Sequence, residues 1–169
     1  MALGWRLIDE PLAGLHLVAD GRVIRPDVVG LTARFVLPAK AQDVRLVSHT
    51  SVPAHVEPGT SDDRRLGVSL AGLTIDDGLT GAREIALDDA RLDDGFHALD
   101  QDGFHVWRWT DGSAVLPAAL WEGCQSILFL RLTLARPALP RWVGPRRAAA
   151  ERMSQGDARG NLRPHLPAA

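Results

Sequence analysis

Tyrosine is absent, cysteine occurs once, as Cys124, and Lys40 is the only lysine, so nearly all positive charge is arginine. A lone cysteine excludes an intrachain disulfide and leaves the compartment open. Schiff-base chemistry would rest on one side chain in the turn-like run Pro38-Ala39-Lys40-Ala41, and is set aside. No apolar run approaches the roughly 20 residues of a membrane span. The opening Met-Ala-Leu-Gly-Trp-Arg lacks the basic and then apolar layout of a secretory leader, so cytoplasm and leaderless secretion both stay open. Nor is there an excess of positive charge. A formal net charge of −2 argues against a dedicated nucleic-acid binder, which would carry a basic stripe.

What the chain does have is a succession of short alternating segments punctuated by turn residues. Candidate strands at 5–8, 15–19, 22–25, 32–37 and 43–48 are separated by Pro/Gly loops or by Asp20-Gly21. Pro26 ends the third by removing a ladder donor. From Leu66 onward, Leu66, Val68 and Leu70 share a face before the apolar phase slips to Leu73 and Ile75. A one-residue bulge near Ala71-Gly72 would keep both groups in the core. A turn at Asp77-Gly78 leads into a segment at 83–87. The last strand, 125–134, sets Leu128, Leu130, Leu132 and Leu134 against Ile127, Phe129, Arg131 and Thr133, the pattern of a central strand paired on both edges. Strands this short and this regularly spaced predict an all-β, antiparallel, jelly-roll-like β-sandwich over residues 1–143. Beyond it the composition turns to proline, arginine and alanine, and 144–169 reads as a disordered or partly helical tail.

The chain is organised around residues 95–116. There Asp102-Gly103 and Asp111-Gly112 bracket a short strand pattern. Asp-Gly suits type I′ turns, whose two central residues both need positive φ. Alternation places His105, Trp107 and Trp109 on one side, and Phe104, Val106, Arg108 and Thr110 on the other. Two indoles at i and i+2 have two readings. They close a core, or they form a flat platform for a sugar ring with Arg108 or Asp111 supplying polar contacts.

Residues 49–65 form the longest stretch without periodicity, and so the first place to look for a binding rim. Within it, Arg64 or Arg65 either pairs with a carboxylate such as Asp88 or Asp111, pinning the loop to the sheet, or grips an anionic ligand. Catalytic patterns are weak. Gly67-Val68-Ser69-Leu70-Ala71 resembles a nucleophile elbow, but the elbow needs a strand-to-helix turn and Ser69 lies inside a strand pattern. A hydrolase using Asp62 and Asp63 would need two carboxylates at controlled separation. None of the Asp-Gly pairs is preceded by the acids or amides of an EF-hand loop. A calcium site from Asp88, Asp89, Asp93 and Asp94 would have to be assembled in three dimensions. His49, His55, His97 and His105 lack zinc-ligand spacing, and Cys124 ahead of a buried strand reads as packing. No cofactor or metal is expected.

Val44-Arg45-Leu46-Val47-Ser48-His49, Pro53, Ser61-Asp62-Asp63-Arg64-Arg65-Leu66-Gly67-Val68, Gly95-Phe96-His97 and Trp107-Arg108-Trp109-Thr110-Asp111-Gly112 occur in that order. In this the chain resembles the C-terminal region of bacterial Hint (Hedgehog/intein-type) domain-containing proteins, over about residues 3–142. Similar patterns recur in accessory β-domains attached to polysaccharide-related glycosyltransferases, and the resemblance implies a β-rich accessory module of uncharacterised role that brings no catalytic residues. His49 stands where the pattern usually has arginine. No Hint domain precedes the match and Cys124 is not at the start of one, so autoprocessing is not carried over.

The resulting expectation is a non-catalytic accessory module that binds a glycan or other surface ligand through Trp107, Trp109, Arg108, Asp111, His97, Arg64 and Arg65. The alternative is a structural module packing on a partner protein domain. An unrecognised hydrolase is the second alternative.

Overall fold

The computed structural model describes residues 4–145. From residue 146 onward, the tail expected at 144–169 lies outside the described residues. The chain divides into two compact units, Met1–Ile8 with Trp142–Ala169, and Asp9–Arg141. The strands, in order, are β1 (Arg6–Ile8), β2 (His16–Ala19), β3 (Arg22–Ile24), β4 (Asp27–Val29), β5 (Thr32–Pro38), β6 (Val44–Val47), β7 (Ser69–Asp76), β8 (Arg83–Glu84), β9 (Phe96–Asp102), β10 (His105–Thr110), β11 (Ser113–Val115), β12 (Ile127–Leu134) and β13 (Arg141–Val143). One helical turn, α1 (Pro53–Val56), interrupts the 49–65 stretch, and a 3-10 turn covers Ala118–Trp121. Among the described residues no helix is long and apolar enough to cross a membrane.

The unit Asp9–Arg141 is the expected antiparallel, jelly-roll-like sandwich. A seven-stranded sheet runs β4-β5-β12-β7-β10-β9, with β8 also on β7, and a four-stranded sheet runs β11-β6-β2-β3. The chain passes between the layers at β3–β4, β5–β6, β6–β7, β10–β11 and β11–β12. β1 and β13 pair separately as a two-stranded sheet.

Alternation explains the core. On β12, Leu128, Leu130, Leu132 and Leu134 are buried while the residues between them are exposed, and β5 and β7 flank it on both edges. These leucines meet Phe35, Leu37, Leu70, Leu73 and Ile75 from the same sheet and Leu17, Val44, Leu46 and Ala114 from the other. The phase slip on β7 is a bulge. Thr133 pairs with Gly72 but Leu134 with Leu70, so Ala71 is the extra residue, and apolar side chains on both sides of it stay buried.

The Asp-Gly pairs mark turns of more than one kind. At Asp20-Gly21, φ is +47° and +79°, the type I′ pattern, between Ala19 and its partner Arg22. At Asp102-Gly103, by contrast, Asp102 pairs with His105 as the last strand residue. The central residues are therefore Gly103 and Phe104, and of these only Gly103 has positive φ (57°), which is the sign pattern of type II′. Asp111-Gly112 is no hairpin within one sheet: it carries the chain from β10 in the large sheet to β11 in the small one.

Asp77 ties the turn after β7 to the segment before β12. Its buried carboxylate accepts hydrogen bonds from Thr80 N (2.7 Å), Leu79 N (3.0 Å), Thr80 Oγ1 (2.9 Å) and Gln125 N (2.9 Å). Backbone N–H groups, Thr80 first and then Gln125 and Leu79, hold this carboxyl well below the usual carboxylate range. A depressed folded pKa contributes stability that is complete above the unfolded value near 3.9 and lost as pH falls from there through the folded value. Urea midpoints should therefore decline below about pH 4. Asp77→Asn should decline less steeply between about pH 4 and 2, and equal slopes for the two proteins would rule this assignment out.

Candidate functional site

The β9–β10 hairpin carries most of the expected binding residues, and its register decides where each one points. Residues directly opposite in an antiparallel pair share a face. Arg108 lies opposite Leu70, a fully buried core residue, so Arg108 is directed to the sandwich interior at its edge. There Nε donates to the His97 carbonyl (2.7 Å) and Nη1 to the Leu87 carbonyl (2.9 Å), with the guanidinium 5.3 Å from the Phe96 ring centroid. Trp109 lies opposite Ser69, and Trp107 opposite Asp100, on the outer face.

The two indoles form no flat open platform. Trp109 is 1% exposed although it stands outside the main inter-sheet cluster, and Trp107 is half-buried. The Arg136 guanidinium lies over both rings, 5.5 Å from the centroid of Trp107 and 5.1 Å from that of Trp109. Backbone continuity brings it there. Beyond β12, Ala135 N donates to the Ser69 carbonyl (2.8 Å) and Ser69 Oγ to the Arg136 carbonyl (3.5 Å), and Ser69 is the partner of Trp109.

Next to this stack a cleft of about 540 Å³ opens on the outer face. Its walls include Asp102, Phe104, His105, Trp107, Leu134 and Arg136. Phe104 stands at the hairpin tip, fully exposed. Trp107 Nε1 is buried with no acceptor among the described residues, which costs about 1–3 kcal/mol wherever it occurs.

Arg64 is a clamp. Its Nη2 meets Asp62 at 2.8 Å and Asp100 at 3.1 Å, joining the 49–65 stretch to β9. The partner on the sheet is Asp100, where Asp88 or Asp111 was expected. The hydrogen bonds from Arg64 draw the Asp62 pKa down, and Asp62, then Asp100, raises that of Arg64. Arg65 is exposed, and its carbonyl accepts from His97 Nε2 (2.9 Å), so that nitrogen carries the ring proton. Asp111 caps its own crossover by accepting from Ser113 N (2.9 Å). Of the seven expected residues, only Trp107 lines the cleft. Trp109 touches its lining through Arg136, Arg64 pairs with Asp100, which lies opposite Trp107, and Arg108 is turned to the other face.

Ser69 lies fully buried at the start of β7, with no strand-to-helix turn after it. Among the described residues no three His, Cys, Asp or Glu side chains lie close enough to share a metal ion. In the acidic loop, Asp89 instead takes Arg91 Nε (2.9 Å) and Nη2 (2.7 Å), which pull its pKa down to about 2.

Sequence reasoning missed Arg136, Phe104 and Asp102. The exposure of Phe104 was concealed by the turn assignment, because only a Gly103-Phe104 turn lifts the ring off the strand. Compared with models of known families, with curated proteins and with solved structures, the chain matches none.

Proposed function

We propose that this protein is a non-catalytic accessory β-sandwich module that binds a glycan through the cleft beside β10. The resemblance to the C-terminal region of Hint-domain proteins supports the accessory-module part of this reading, and the cleft supports the glycan. The observation that carries the reading is the cleft itself. Its volume of about 540 Å³ lies within the roughly 300–1,000 Å³ of small-molecule sites, and it combines two aromatic rings with Asp102, His105 and Arg136. Rings supply an apolar surface for the C–H face of a pyranose, and the polar groups supply partners for hydroxyls.

Phe104→Ser provides the cleanest test. The ring is fully exposed, so the change should alter stability by no more than about 0.5 kcal/mol. Calorimetry against a panel of oligosaccharides should find a ligand for the native protein, with binding weakened at least several-fold in Phe104→Ser. If no oligosaccharide binds the folded native protein, the reading fails.

A second reading has its own observation. Val36 pairs with Phe129 and Pro38 with Ile127 on the outer face of β5–β12, and Val36, Phe129 and Ile127 are 54%, 51% and 46% exposed. An apolar row of this kind suits a partner protein domain. It predicts a dimer or complex on size exclusion that Phe129→Glu breaks, and a monomer at all concentrations would count against it.

A further inference from the structure

We propose that the Arg136 guanidinium recognises the carboxylate of a uronic acid residue, so that the ligand class of the cleft is an acidic oligosaccharide. This rests on the reading of the cleft as a glycan site.

The first support is what Arg136 does not do. Arg64, Arg83, Arg91 and Arg108 all direct guanidinium N–H groups to carboxylates or carbonyls. Arg136, like the exposed Arg22, Arg34, Arg65 and Arg131, has no such acceptor among the described residues, but of these it is the one that lines the cleft. Its guanidinium instead lies over Trp107 and Trp109, as a cation–π pair with each ring. A guanidinium held over aromatic rings keeps its N–H donors for other partners, and two of them can meet a carboxylate bidentately. The indoles also fix its orientation in advance, so less side-chain entropy is lost on binding.

The second support is the polarity of the cleft. Asp102 is the carboxylate among its lining residues and sits at the hairpin end, opposite His105. Arg136 sits over the indoles further along β10. An acidic sugar is thereby oriented, its carboxylate at Arg136 and its hydroxyls toward Asp102 and His105, with the exposed edge of Trp107 and the Phe104 ring against its carbons. A neutral sugar would leave the charged fork to water and use half of what the site offers.

The test compares an oligogalacturonate with its fully methyl-esterified form, which keeps the rings and removes the charge. A glutamate-rich peptide and a sulfated neutral oligosaccharide serve as further probes. Calorimetry on the native chain should show the acid binding at least tenfold tighter than the ester, with an advantage that shrinks as salt is raised. The Trp107 indole N–H resonance should shift on titration. Arg136→Gln should abolish the acid's advantage while leaving the weak binding of the ester, and Arg136→Lys, which keeps the charge but not the planar fork, should not restore it. Equal affinity for acid and ester would overturn this inference and leave the glycan reading standing, whereas binding of neither would end both. Peptide or sulfated sugar binding as tightly as the uronate would replace it with a general anion site. The acid-to-ester ratio on the native chain decides the matter even where an Arg136 variant fails to fold.

Discussion

Trp109→Ala should lower the unfolding free energy by about 3–5 kcal/mol, among the largest effects of any single truncation in the chain. The indole is 1% exposed and is among the largest fully buried side chains. Its removal leaves a void that neighbouring groups fill only in part, because β10 is fixed by β9 on one edge and by the first residues of β7 on the other. The Arg136 guanidinium loses one of its two rings in the same step. Trp107→Ala should cost less, since that ring is half-buried and its N–H is already unpartnered. Urea denaturation of the two variants checks the order. A Trp109→Ala protein within about 1 kcal/mol of the native chain would contradict the described burial.

Gly95→Ala should be similarly severe for a different reason. Gly95 has φ of +83°, where a Cβ costs roughly 1–2 kcal/mol by itself. That Cβ would also lie 2.3 Å from the Ser113 carbonyl oxygen and 2.5 Å from Ala114 Cα, both backbone atoms that no rotamer change can move. Two hydrogen bonds form this seam, Asp111 N to the Gly95 carbonyl and Val115 N to the Asp94 carbonyl, each 2.9 Å. The entry to β9 and the strand β11 of the other sheet must separate to admit a methyl group. We expect a loss on the order of 4 kcal/mol, or failure to fold. Gly30→Ala is the control: its φ is also positive, at 59°, but nothing lies within 4 Å of the added atom, so it should cost only about 1 kcal/mol. Equal midpoints for the two alanine variants would refute the close-approach argument.

These two positions also separate what could be read from the sequence and what could not. Local alternation made the core faces of β5, β7 and β12 legible, including the bulge at Ala71, because side-chain period and burial are the same fact on a two-layer fold. The shorter strands β4, β11 and β13 carried too few alternating residues to be recognised and went unassigned. An Asp-Gly pair announced several of the turns, though not the β4–β5 turn at Gly30-Leu31, and its register relative to the turn depends on which residues the two strands pair. That is why Phe104, assigned to the strand, proved to be a turn residue. In the 49–65 stretch the acid and arginine side chains suggested a clamp, and the clamp exists. Its sheet partner, Asp100, was beyond local inspection because the contact joins segments far apart in the chain.

The same limit applied to the candidate site. Trp107 and Trp109 were legible as a same-face pair, but whether a pair is open, buried or covered depends on which segment crosses it. Here that segment is the one following β12, hydrogen-bonded to Ser69 and delivering Arg136 onto both rings.

The amino-acid order alone determined an all-β architecture, the inward faces of the longer core strands β5, β7 and β12, and several of the turns, since each depends on neighbours within a few positions. Only the tertiary structure decided which arginine is engaged and which has its donors free, which indole is accessible, and where a cleft opens. Those properties arise when strands distant in sequence become adjacent, and adjacency in a sandwich is fixed by the order in which strands join the sheets.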